Sequence, residues 1–336
     1  MTTDAVIKDK PLALTLGDPA GIGPEIVVKA LAHDAVVRDR VVLVGDPMIL
    51  QDALSRYAPE FRMLPVDLRA AMPELHEHDM ALHAVKSIKV LPAMGQVTPQ
   101  AGRSAYDAIV EAALLSLAGH TCGMVTAPIN KLALRAAGIS EPGHTEILAR
   151  LAATSRFAMM FASEHLQVVL ATIHLPLARA LAALTPELVF EKIQLTHEAG
   201  RWLGRANPKI AIAGINPHAG EGGMLGDDEQ RVLLPAIVRA REHGYAVTDP
   251  LPPDTVFMRA RAGEFDVVLA MYHDQGLIPV KLLGLDSAVN VTIGLPFLRS
   301  SVDHGTAFDI AGRGIASEAN LLHVLRWHLA RIDGLT

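Results

Sequence analysis

The chain has one cysteine in 336 residues, 4% aromatic side chains and no uninterrupted apolar run of the length a bilayer demands. The lone Cys122 excludes an intrachain disulfide and suits a reducing, cytoplasmic compartment. It follows an apolar helical pattern and precedes a strand, where a small buried side chain fits better than a nucleophile. Scarce aromatics and a formal charge of -6 remove the stacking surfaces and the basic footprint that nucleic-acid binding requires. MTTDAVIKDKPLAL has no apolar stretch behind a basic start, so no leader is expected. Neither G-x-G-x-x-G nor G-x-x-x-x-G-K-[ST] occurs, which leaves no Rossmann fingerprint and no P-loop. Repeats, low-complexity segments and charge blocks are missing as well.

What is present is a globular chain, half of it hydrophobic, long enough for two lobes or one large domain. Short β-rich runs alternate with helical patterns: LALTL then PEIVVKALA, VVLVG then PMILQDALSRY, GMVTA then PINKLALRAAG. VVLAT, IAIAG, VVLAM and AVNVTIG continue the series, each trailed by a loop or helix. This alternation predicts an α/β fold with a mostly parallel sheet covered on both faces. Thr185-Pro186-Glu187 reads as an N-cap, a first-turn proline and an acidic first turn. Turn-rich seams near residues 138–143 and 299–305 divide the chain into a first lobe of residues 1–137 plus 300–336 and a second of 138–299, the latter expected to carry most of the site.

Three strands run straight into a histidine: LQVVLATIH ends in His174, KIAIAGINPH in His218 and DVVLAMYH in His273. In a parallel sheet the carboxyl ends of the strands face one crevice, so three such imidazoles are placed to converge. A histidine after a strand is ordinarily a loop residue bonded to backbone. Three at equivalent positions, each in polar and glycine-rich sequence, point instead to a divalent metal site with open coordination positions. Asp274 beside His273 would be an orienter, an extra ligand or a proton acceptor. Asp227 to Glu229 read as an ordinary acidic helix start.

Two segments suit an anion. GDPAGIGPEI lies between strand and helix, and its glycines either cradle an anion or allow a tight turn before Pro24 starts the helix. GHTEIL reads as a helix start where Thr145 and backbone amides either hold an anion or simply cap. Lys281, Asn290 and Arg299 lie after or between apolar strands and together would recognise phosphate or carboxylate.

In order along the chain, GDPAGIGPE, TAPINK, GHTE, TIHLPL, NPHAGEGG, YHDQGL and GLPFLRSSVDHGTAFDIAGRG resemble the 4-hydroxythreonine-4-phosphate dehydrogenase family of vitamin B6 biosynthesis. The resemblance runs nearly end to end. It implies a two-lobed fold similar to isocitrate and isopropylmalate dehydrogenases, and a homodimer with the active site at the interface. It also implies one divalent ion per site (zinc, magnesium, cobalt or manganese) on His174, His218 and His273, and NAD or NADP bound without the Rossmann glycines. Substrate contacts by resemblance are His144, Thr145, Lys281, Asn290 and Arg299. Asp274 and Lys281 are the candidates for catalysis, with Asp254 a further carboxylate of interest. The implied reaction is oxidation of the C3 hydroxyl of 4-phosphooxy-L-threonine to a 3-keto acid that decarboxylates. TAPINK, and PGHTEIL without an aromatic after GHTE, are closer to paralogues acting on 4-phospho-threonate or 4-phospho-erythronate. A metal-dependent hydrolase or aldolase, or a non-catalytic sugar-phosphate binding module, would use the same residue types.

Overall fold

Twelve strands of three to six residues, most of them apolar, form in the computed structural model, which describes residues 8–283 and 288–335. The first seven residues, on which the expectation of no leader partly rests, lie outside the described chain. In chain order the strands are β1 (Leu12–Thr15), β2 (Val41–Gly45), β3 (Arg62–Val66), β4 (Asp79–Ala84), β5 (Met124–Thr126) and β6 (Ala158–Ala162). They continue with β7 (Gln167–Leu170), β8 (Ile210–Ala213), β9 (Val247–Leu251), β10 (Val267–Ala270), β11 (Val289–Ile293) and β12 (Arg299–Ser301).

The chain divides into two compact units, one holding the described residues up to Ser155 and from Leu295 onward, the other Arg156–Gly294. The first unit orders its strands β3-β4-β2-β1-β5-β12, all parallel. The second orders them β11-β6-β7-β10-β8-β9; β6 runs antiparallel to both β7 and β11, and the other pairs are parallel. The fold is therefore α/β and mostly parallel, as the alternation of runs requires.

Interior strands such as β1 and β2 are buried at every position, which is why they read as continuous apolar runs. The prolines of strands fall where a missing N–H is harmless: Pro65 in β3 and Pro250 in β9, each at an end of its unit's strand order. Three helices start on proline with a polar cap before it. Asp46 accepts from Met48 N, Thr98 from Ala101 N and Thr185 from Leu188 N.

The unit boundaries fall at 155/156 and 294/295, against the sequence expectation of 137/138 and 299/300. Apolar burial decides the difference. Ile147 and Leu148 of helix His144–Leu151, together with Leu295 and Phe297, pack with Ile109 and Leu134 in the first unit's core. His144, Thr145 and Arg299 consequently belong to the first unit and Lys281 and Asn290 to the second.

Candidate functional site

The second unit places the strands that precede the three histidines side by side. β10 pairs with β7 on one edge (Ala270 opposite Leu170) and with β8 on the other (Leu269 opposite Ile212). His174, His273 and His218 thus leave three adjacent parallel strands at the carboxyl end. His273 is also the first residue of helix His273–Leu283, so it sits at a strand end and a helix start together.

Each letter of His-Asp-Gln-Gly has a physical assignment here. The rings of His273 and His174 approach to 5.7 Å between centroids, tilted by 43°. Asp274 Oδ1 lies 2.7 Å from His273 Nδ1. A carboxylate only accepts, so Nδ1 carries the proton, and the tautomer this selects has its lone pair on Nε2. Gln275, which the sequence reading passed over, is buried and joins two strand ends: its Oε1 accepts from Met271 N at 2.7 Å and its Nε2 donates to Gly214 O at 2.7 Å. A Cβ on Gly276 would come within 2.5 Å of Leu170 Cδ2 and 2.8 Å of Val168 Cγ1. Only glycine lets this helix lie directly on β7 and β10. Thr172 Oγ1 adds a bond to Met271 O at 2.8 Å. A cavity of about 360 Å³ opens beside the pair, lined by Thr172, His174, Leu175, Leu177, Tyr272 and Asp274 among others.

The third histidine shares its backbone conformation with the first. His174 (φ 49°) and His218 (φ 52°) both hold left-handed backbone, as do Ala219 (φ 54°) and Glu221 (φ 44°). Such conformations cost side-chain-bearing residues about 1–3 kcal/mol each and gather at functional sites. The donor chemistry of His174 and His273 fits a shared cation. Among the described residues, however, no three His, Cys, Asp or Glu side chains stand close enough to hold one, so His218 is not drawn into the pair within a single chain. Of the other candidates, Asp254 lies exposed in a turn. Lys281, between β10 and β11 along the chain, is exposed in the last turn of helix His273–Leu283. Asn290 sits within β11 opposite Phe161, and its Oδ1 is buried with no hydrogen-bond partner among the described residues. Glu229 corrects the sequence reading: it is 3% exposed and accepts from Ile215 N and Asn216 N at 2.8 and 2.7 Å.

The first unit builds an environment suited to an anion. Helix His144–Leu151 starts after an extended Gly143 with no side-chain cap, which leaves its first amides for another acceptor. Arg299 in β12 is buried and donates from an Nη2 to Thr126 Oγ1 at 2.7 Å. Burial pushes this guanidinium down to about 10, the charge of Glu146 opposing, so it stays cationic at neutral pH. Burial and then the charge of Arg299 hold His144 well below the usual imidazole range. Its Nε2 is closed off from solvent and has no hydrogen-bond partner among the described residues. Thr145 is buried beside it. A buried cation, a neutral imidazole and an uncapped helix start suit phosphate or carboxylate.

The glycines of GDPAGIGPE serve close packing. A Cβ would meet Pro128 O at 2.5 Å from Gly17, Thr306 at 2.9 Å from Gly21 and Leu16 O at 2.5 Å from Gly23. Asp18 in the same loop was missed by the sequence reading: it is fully buried, Oδ1 accepts from Ala20 N at 2.8 Å, and Oδ2 has no partner among the described residues. Burial pushes its carboxyl up to about 6, against backbone hydrogen bonds that pull it down.

The family model for pyridoxal phosphate biosynthetic protein PdxA matches residues 37–327. A 4-hydroxythreonine-4-phosphate dehydrogenase of Beijerinckia indica is 50% identical, over 94% of this chain and 93% of its own. The D-threonate 4-phosphate dehydrogenase of Salmonella typhimurium is 42% identical over 94% of this chain and 97% of its own. A crystal structure of a 4-hydroxythreonine-4-phosphate dehydrogenase from Klebsiella pneumoniae matches with a TM-score of 0.88 at 41% identity, covering 96% of this chain and 100% of that one. Hydrolase, aldolase and non-catalytic readings give way to an oxidoreductase. The chain belongs to the PdxA family of dehydrogenases.

Proposed function

We propose that this enzyme oxidises the C3 hydroxyl of 4-phosphooxy-L-threonine with NAD or NADP, and that the resulting 3-keto acid decarboxylates to 3-amino-2-oxopropyl phosphate in pyridoxal phosphate biosynthesis. The observation that carries the reading is the His174–His273 pair at the ends of adjacent parallel strands, with Asp274 holding one ring in the tautomer that offers Nε2. A divalent cation (zinc, magnesium, cobalt or manganese) held by His174, His218 and His273 would supply Lewis-acid polarisation of the hydroxyl, and a bound nicotinamide would supply the hydride acceptor. Arg299, His144 and Thr145 bind the anionic end of the substrate in the first unit. Lys281 and Asn290 are further substrate contacts by the family resemblance, and Lys281 returns a proton to the enolate carbon after carbon dioxide leaves. Asp274, exposed on one side, accepts the hydroxyl proton through the oxygen that His273 does not use.

A homodimer with the site at its interface suits the second unit. Leu177, Met224, Ile278 and Leu282 are 56%, 83%, 59% and 81% exposed, apolar side chains of the kind a second copy would cover while completing the donor set. No helix among the described residues is long and apolar enough to cross a membrane, and the buried Cys122 goes with a cytoplasmic setting.

A second reading keeps the chemistry and changes the substrate to 4-phospho-D-threonate or 4-phospho-erythronate. The D-threonate 4-phosphate dehydrogenase relative at 42% identity favours it, as does the likeness of TAPINK to those paralogues. The experiment is a panel of these three acids with both nicotinamides and added divalent metal, read by NAD(P)H absorbance. Fastest turnover on 4-phosphooxy-L-threonine supports the first reading, and turnover confined to the two hydroxy acids selects the second. Absence of NAD(P)H formation with all three overturns both.

A further inference from the structure

We infer that Glu229 is a positioning residue for His218, acting through the left-handed turn that carries it. The inference rests on the proposed role of His218 as a metal ligand. Residues 218–222 hold five consecutive positive φ values, 52°, 54°, 80°, 44° and 66°, and three of the five bear side chains. A chain does not keep that conformation by local preference. Something must fasten it.

The fastening is a buried carboxylate. Glu229 Oε1 accepts from Ile215 N and Asn216 N at 2.8 and 2.7 Å, fixing the backbone just before Pro217. Oε2 accepts from Asn216 Nδ2 at 3.0 Å, and the same amide nitrogen reaches Asp228 Oδ2 at 3.0 Å. The turn then settles on this carboxylate, for a Cβ on Gly220 would stand 2.6 Å from Glu229 Oε2. Glu229 is itself held by a π turn, Glu229–Leu233, that leads into helix Leu234–Glu242. Pro235 explains the wider turn, since it has no N–H to give one α-turn back. Position 229 is thus tied to a helix, and the His218 turn is tied to position 229.

Three hydrogen bonds from N–H groups to one buried carboxylate cannot be replaced by water without opening the loop. Glutamine keeps Oε1 for the two backbone amides but turns a donor toward Asn216 Nδ2, so Glu229→Gln should retain part of the function that Glu229→Ala loses.

The test uses the full-length protein, stripped of metal, with cobalt(II) as probe and its absorption spectrum as readout, beside hydrogen exchange of the peptide covering residues 215–224. Glu229→Ala and Gly220→Ala approach the contact from opposite sides. Each is expected to weaken cobalt binding by about tenfold or more and to speed exchange in that peptide by about tenfold, with exchange in β7 and β10 unchanged and Glu229→Gln intermediate. Unchanged exchange at 215–224 in both alanine variants overturns the inference. Wild-type cobalt affinity in both, while His218→Ala loses it, also overturns the inference and leaves the metal reading standing. His218→Ala with wild-type cobalt affinity removes His218 from the metal site; the clamp then acts on a turn that holds no ligand, and the inference falls with it.

Discussion

His328 and Asp18 are buried titratable groups with opposite effects on stability. His328 is fully buried with Nδ1 2.8 Å from Ser300 Oγ, and burial pushes it down to about 3. The unfolded chain binds this proton from about pH 6.5 downward and the folded chain does not, so stability is complete above about 6.5 and falls as pH drops toward 3. Asp18 works the other way. Its folded carboxyl, pushed up to about 6, binds a proton the unfolded chain has already lost above 3.8, so stability falls as pH rises through this window. Asp18→Asn, which keeps the acceptor for Ala20 N, is expected to raise stability above pH 6 by on the order of 1–3 kcal/mol. His328→Gln is expected to flatten the acid limb, by up to about 1.4 kcal/mol per pH unit. Urea denaturation at intervals from pH 4 to 8 checks both; an unaltered slope in either variant rejects its assignment. Neither behaviour was legible in the sequence, where Asp18 is one letter of a glycine-rich turn and His328 one of fifteen histidines.

At the scale of elements, local chemistry read well wherever the signal was itself local. Thr185 caps helix Pro186–Glu198 as its letters indicate, and Thr185→Ala is expected to cost about 1 kcal/mol in a thermal melt. Strands β3 and β9 escaped the reading because half-exposed edge strands that tolerate proline do not look like apolar runs, while β4, β6 and β12 were passed over as well, the first two although they are buried almost throughout. The opening of helix His273–Leu283 also escaped, since nothing in YHDQG resembles a cap and the helix is set by Gly276 lying on β7 and β10. Gly276→Ala therefore overpacks that contact, with an expected loss of about 1–3 kcal/mol and weaker cobalt binding. A variant as stable as the parent shows that the helix has room to move off the sheet.

Across the whole molecule, ligand linkage offers a direct check on the proposed anion site and the proposed metal site separately. Inorganic phosphate binding the folded first unit would raise stability by RT ln(1 + [L]/Kd), about 2.7 kcal/mol at a hundredfold excess over Kd. That increment is expected to vanish in Arg299→Ala, while cobalt, acting through the second unit, still stabilises it. Phosphate stabilisation that survives Arg299→Ala moves the anion site elsewhere.

The alternation of apolar runs with helical patterns determined the α/β class by itself, because burial on both faces of a parallel strand demands continuous apolar residues. The three strand-end histidines were likewise visible, since strand direction places every carboxyl end on one side. Tertiary structure alone decided the rest: which strands are neighbours, that Ile147 and Leu148 carry His144 into the first unit, and that a carboxylate eleven residues beyond His218 holds its turn. Those outcomes depend on contacts between residues distant in sequence, and no local pattern of letters encodes the free energy of such a contact.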